Sequence, residues 1–145
     1  MRVLSISAIL HDIGKIAVPE QILDKPAKLT DEEFDIVRKH PRAGADIISS
    51  IPSYDPILAG IIHHHERWDG TGYPDGLKGE NIPLFARIIC LADVYDALTA
   101  DRPYRSAWSS NQTIQFLEAQ KAKMFDPTLV DVFKAIVNDI DGRSA

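Results

Sequence analysis

The stretch His64-His65-Glu66-Arg67-Trp68-Asp69-Gly70-Thr71-Gly72-Tyr73-Pro74 joins two adjacent imidazoles to an aromatic loop punctuated by glycine. Imidazole is the commonest side-chain metal ligand, and glycine lets backbone fold tightly beside a bound group. Immediately upstream, Ile57, Leu58, Ile61 and Ile62 repeat at helical spacing and define one apolar face. At about 100° per residue, His65 falls near the centre of that stripe, His64 at its edge and His63 on the opposite side. His64 and His65 are therefore expected to face inward, and His63 to face water.

Working outward, helical periodicity runs through the whole chain. Leu4, Ile6, Ala8, Ile9, Leu10 and Ile13 surround their axis on nearly every side, which describes a buried helix ending near Asp12 or Ile13, where Gly14 permits a turn. Residues 16–29 read as a loop or short turn. Thr30-Asp31-Glu32-Glu33 is a capping-box sequence that starts a helix at Asp31. Pro41 disfavours α conformation at His40 and suits a helix's first turn, so His40 should stand at a corner between two helices. Pro52 ends the second of these and Ser53 can cap the next.

Pro83, Ser109 and Pro127 mark three further helix starts. The first of these helices carries Asp93 four residues after Ile89, on the same apolar face, where a carboxylate needs a partner. The last carries Val130, Phe133, Ile136, Val137 and Ile140, expected to dock on the core until Gly142. No strand alternation, internal repeat or low-complexity segment is present. The expectation is an all-α bundle of five to seven helices forming one domain over residues 1–145.

Bulk properties narrow the function. With 145 residues, 45% hydrophobic and 26% charged, the chain has the composition of a globular domain. A net charge of −5 argues against a broad surface for nucleic-acid polymers but leaves room for a small nucleotide held by a few local cations. The single cysteine, Cys90, has no internal disulfide partner and lies in an apolar run, which suits a reduced, cytoplasmic thiol. No apolar stretch approaches the roughly 18 residues of a membrane span.

Collected together, the inward or corner-placed groups are His11, Asp12, His40, His64, His65 and Asp93. Imidazoles combined with carboxylates favour borderline first-row ions over magnesium or calcium, and an aspartate can bridge two ions. Two ions can activate a water and stabilise the attacking and leaving oxygens of a phosphate ester.

These residues carry a resemblance. His11-Asp12-Ile13-Gly14-Lys15, His40-Pro41, the His64–Pro74 stretch, Ala92-Asp93-Val94-Tyr95-Asp96-Ala97 and Asp101–Arg105 together resemble the HD-GYP branch of the HD phosphohydrolases, with agreement from about Leu4 to Phe133. The resemblance implies an all-α HD-domain bundle, a bacterial signalling context that includes two-component systems, and hydrolysis of cyclic di-GMP to pGpG or onward to GMP. It implies a centre of two, or in some members three, divalent ions, iron or manganese first and nickel or zinc as alternatives. Its ligands carry over to His11, Asp12, His40, His64, His65 and Asp93, with Asp12 also catalytic. It further assigns Lys15 to the scissile phosphate, Tyr73 and Pro74 to the loop beside the substrate pocket, and Arg102 and Arg105 to the substrate's phosphates or bases.

The family's usual start differs from this one. HD-GYP domains begin with additional helices that supply a further His and, in three-metal members, a Glu, whereas the ten residues before His11 contain neither. The expectation is that this N-terminal part has been removed or that another chain supplies it. Apolar surface left in its place would favour a homodimer or helix exchange. The resemblance also implies an upstream sensory or receiver domain, and a diguanylate cyclase domain docking through Gly72-Tyr73-Pro74. The alternatives are a non-catalytic metal- or nucleotide-binding or cyclase-docking module, and a hydrolase of another cyclic dinucleotide or guanine nucleotide.

Overall fold

The computed structural model describes residues 2–51, 55–101 and 105–143. They form α1 (Arg2–Leu10), a 3-10 turn (Ile13–Ala17), the single-turn α2 (Glu20–Leu23), α3 (Asp31–Val37), α4 (His40–Ser49), α5 (Asp55–His63), α6 (Leu84–Thr99), α7 (Ser110–Ala119) and α8 (Pro127–Arg143). The fold is all-α, with no strand among the described residues and only isolated bridge residues, such as the Lys121–Phe125 pair. None of these helices is long and apolar enough to cross a membrane.

Local chemistry explains the boundaries. Thr30 accepts from the Glu33 amide while the Glu33 carboxylate accepts from the Thr30 amide, so both ends of the capping box are made and α3 begins at Asp31. Ser109 and Gln112 repeat the device at the start of α7. His40 opens α4 directly after α3, the expected corner. The Pro52 stop and the Ser53 cap lie outside the described residues.

Two apolar clusters hold the helices together. Ala45, Ile48, Ile57 and Ile61 join α4 to α5, with Val3, Ile6 and Leu10 of α1 against them. Cys90, Leu91, Ile114, Leu117, Phe125, Val130 and Val137 join α6, α7 and α8. The α5–α6 packing links the two clusters. Ile61 and Leu117 are fully buried, each worth roughly 1.5–3 kcal/mol relative to an exposed side chain.

Three expectations are corrected here. α1 is half-exposed: only Ser7 is buried and Ile9 is 79% exposed, because α1 packs chiefly on α5 and less on α6, which cover one side of it. α1 also stops at Leu10, so His11 and Asp12 occupy a turn. On α8, Val130 and Val137 are buried but Ile136 and Ile140 point outward. Gly14 answers to packing more than to turning, since a Cβ there would lie 1.9 Å from the His40 carbonyl oxygen and 2.5 Å from the Gly44 nitrogen. Its missing side chain is what lets the His11-Asp12 turn rest on the first turn of α4.

Candidate metal centre

Five of the six candidate ligands are brought in by the ends of helices, and the sixth by the middle of one. His11 and Asp12 follow α1, His40 begins α4, His64 and His65 follow α5, and Asp93 lies within α6. Asp12, His40, His64 and His65 offer ligand atoms within 4.8 Å of one another. His11 Nε2 joins them at 3.4 Å from Asp12 Oδ2 and 3.7 Å from Asp93 Oδ1. All six sequence-derived ligands therefore converge. Arg87, which might have neutralised Asp93, instead pairs with Asp126 at 2.7 Å.

Backbone carbonyls orient three of the rings. His11 Nδ1 lies 2.6 Å from Ala8 O, His40 Nδ1 2.7 Å from Val37 O and His64 Nδ1 2.7 Å from Ile61 O. A carbonyl only accepts, so each Nδ1 carries a proton, and it is Nε2 that is left to offer a lone pair toward the centre whenever the ring is neutral. His40 Nε2 and His64 Nε2 then face one another at 3.4 Å. His11 Nε2 and Asp12 Oδ1 are buried without a hydrogen-bond partner. Lone pairs converging on a buried point, with a carboxylate among them, are what a cation requires and what a core without one would avoid. The donor set fits a divalent transition metal.

Asp12 lies between two groups of histidines. Its Oδ1 lies 3.2 Å from His40 Nε2 and 3.9 Å from His64 Nε2, while its Oδ2 lies near His11 and 2.5 Å from Lys15 Nζ. Burial opposes the charged form of Asp12, but His11, His40 and Lys15 outweigh it and hold the carboxyl far below the usual carboxylate range. Asp12, followed by Asp93, raises His11 to about 10. Burial, then their histidine neighbours, lowers His64 to about 3 and His65 to about 4, so both are neutral at pH 7.

The glycine loop folds back over α5. Glu66, fully buried, accepts from the Asp75 amide at 2.7 Å and the Leu77 amide at 3.1 Å. Gly72 passes so close to the start of the loop that a Cβ would lie 2.4 Å from the Arg67 nitrogen. This brings Tyr73 onto His65, ring on ring at 4.8 Å and 28°. It also corrects the reading of His63, whose side chain is only 16% exposed: the returning loop sets Asp75 Oδ2 at 3.6 Å from its Nδ1, with Glu66 Oε1 at 3.8 Å.

A cavity of 390 Å³ opens beside the centre, bordered by His64, His65, Asp93 and Tyr73. Phe34, Arg38, Arg67 and Met124, which sequence reasoning did not single out, also line it. The available signal was Arg38's place two residues before the corner histidine. Pro74 does not border the cavity and follows Tyr73 through a cis peptide bond. Arg105 lies outside it as well, donating to Ala97 O with its guanidinium 5.9 Å from the Trp108 ring. Arg102 falls outside the described residues.

An HD-domain family model matches residues 1–129. The chain belongs to the HD-domain family. Its ordered motifs put it in the HD-GYP branch. It is 47% identical over 133 residues to the cyclic di-GMP phosphodiesterase response regulator RpfG of Xanthomonas campestris, covering 90% of this chain and 35% of that protein. It is 44% identical over 125 residues to 3'3'-cGAMP-specific phosphodiesterase 2 of Vibrio cholerae, covering 85% of this chain and 24% of that one. An HDG"Y"P protein of Bdellovibrio bacteriovorus shares the fold with a TM-score of 0.72 at 21% identity, over 94% of this chain and 44% of its own. The HD domain thus spans about a quarter to a third of the length of these curated relatives.

Proposed function

We propose that this HD domain is the catalytic unit of a phosphodiesterase that hydrolyses cyclic di-GMP to pGpG or onward to GMP. The observation that carries the reading is Asp12, whose two oxygens are divided between the His40–His64 pair and His11. Divalent iron or manganese ions held by His11, Asp12, His40, His64, His65 and Asp93 would supply an activated water and charge neutralisation for phosphoryl transfer. Lys15 stands beside Asp12 with its ammonium half-exposed, placed to neutralise a non-bridging phosphate oxygen as charge develops. Tyr73 closes the His65 side of the cavity and keeps that ring in position.

The test is anaerobic incubation of iron- or manganese-loaded protein with cyclic di-GMP, followed by product separation. Formation of pGpG or GMP well above a His64→Ala control supports the reading, and none above that control overturns it. Resemblance to a cGAMP-specific relative favours a second reading, a preference for a mixed cyclic dinucleotide. A substrate panel decides between them by the relative kcat/KM of cyclic di-GMP and 3'3'-cGAMP.

A further inference from the structure

The cavity is lined by His64, His65 and Asp93 of the ligand cluster and also by two arginines from separate elements, Arg38 at the C-terminal cap of α3 and Arg67 at the start of the glycine loop. Neither is completed by a carboxylate. Arg67 Nε is buried with no hydrogen-bond acceptor, and Asp69 Oδ1 stands off at 3.9 Å while accepting from the Thr71 amide at 3.0 Å and hydroxyl at 2.6 Å. Arg38 Nη1 is 3.7 Å from Asp35 Oδ1, too far for a hydrogen bond.

The guanidinium of Arg38 lies instead over two rings, 4.7 Å from the centre of Phe34 and 5.5 Å from that of Tyr73. Stacking engages the flat face of a guanidinium and leaves its in-plane N–H donors free. A buried N–H without an acceptor is a cost that a ligand oxygen removes. Two arginines lining one cavity, in a chain of net charge −5, concentrate positive potential locally.

We propose that Arg38 and Arg67 form a second anion subsite, which takes the uncleaved phosphate of a cyclic dinucleotide while the scissile phosphate lies at the ligand cluster. The inference rests on the reading of this domain as a cyclic dinucleotide phosphodiesterase. Such a substrate carries two phosphodiesters on opposite sides of one ring, so Lys15 and the cluster can serve only one of them. The other needs its own donors, and the fork of an arginine matches a phosphate's non-bridging oxygens.

The affinity of manganese-loaded protein for a phosphorothioate cyclic di-GMP that resists hydrolysis tests the assignment without recourse to turnover. Arg67→Met and Arg38→Met should each weaken binding by about tenfold or more, the range of a lost charge-assisted hydrogen bond, and Arg67→Lys should recover part of it. Lys39→Met, an equal charge change at an exposed neighbour, should leave affinity within about twofold. Circular dichroism verifies that each variant is folded. Wild-type affinity in both arginine variants, or an equal loss in Lys39→Met, overturns the subsite alone. Failure of the wild-type protein to bind the analogue overturns the subsite and the parent reading together.

Discussion

His40 and His64 present Nε2 to Nε2 across 3.4 Å, each ring pinned by a carbonyl 2.7 Å from its Nδ1. Two lone pairs facing at that distance repel unless a cation stands with them. Manganese at about 100 times its Kd should therefore raise stability by about 2.7 kcal/mol, seen as an upward thermal shift. His40→Ala and His64→Ala should each abolish most of that shift. A wild-type melting temperature indifferent to divalent transition ions would contradict the assignment.

Metal loading should release about one proton per chain at neutral pH, and the proton comes from His11. Its pKa is raised to about 10 by Asp12 and then Asp93, so the metal-free ring is charged at pH 7. His64 and His65, lowered to about 3 and 4, are already neutral and contribute none. Affinity should rise with pH between 7 and 10. Calorimetric titrations in buffers of different ionisation enthalpy measure the release directly, and an enthalpy that does not depend on the buffer would refute it.

The same groups set the pH stability of the metal-free chain. His64 and His65 have folded values below the ordinary 6.5, so the unfolded chain binds more protons and stability falls as pH drops below that value. His11 has a raised folded value, and its contribution is present below 6.5 and lost as pH climbs through about 10. Denaturant midpoints of metal-free protein should pass through a maximum between these limits. A midpoint that keeps rising below pH 6 would show the histidine pair is not buried neutral.

Gly14→Ala should cost about 3 kcal/mol, because the added carbon meets backbone rather than a movable side chain: the His40 oxygen at 1.9 Å and the Gly44 nitrogen at 2.5 Å. The displaced α4 carries His40 with it. Urea titration and metal content per chain should fall together; a stable variant with full metal content would sever the link between this contact and the centre.

Glu66→Gln removes one of two carboxylate oxygens that accept from the Asp75 and Leu77 amides inside the protein. The unsatisfied amide should cost about 1–3 kcal/mol. Hydrogen exchange at those two amides and proteolysis between residues 67 and 78 should both accelerate, and unchanged protection would remove Glu66 as the anchor of the loop.

The convergence of the candidate ligands was legible in the sequence because five of the six stand at helix ends, which caps, prolines and adjacent histidines mark, and the family resemblance joined them to Asp93. For His40, Pro41 marked the corner, while its candidacy as a ligand rested on the resemblance. What could not be read was whatever one segment does to another. His63 points away from the apolar stripe as its phase requires, yet the returning loop covers it with Asp75. The apolar ring of residues on α1 indicated burial, but periodicity counts side chains and not the elements available to cover them. Arg38 and Arg67 lie 29 positions apart and meet at one cavity only through the fold.

Tyr73 lies flat against His65 while its loop is anchored by Glu66, the very next residue. The loop's ring therefore rests directly on a ring proposed to hold the ion. Whatever grips the loop must alter how readily the centre takes up its ion, and the ion must return the effect with equal strength, since coupling between two sites has a single free energy.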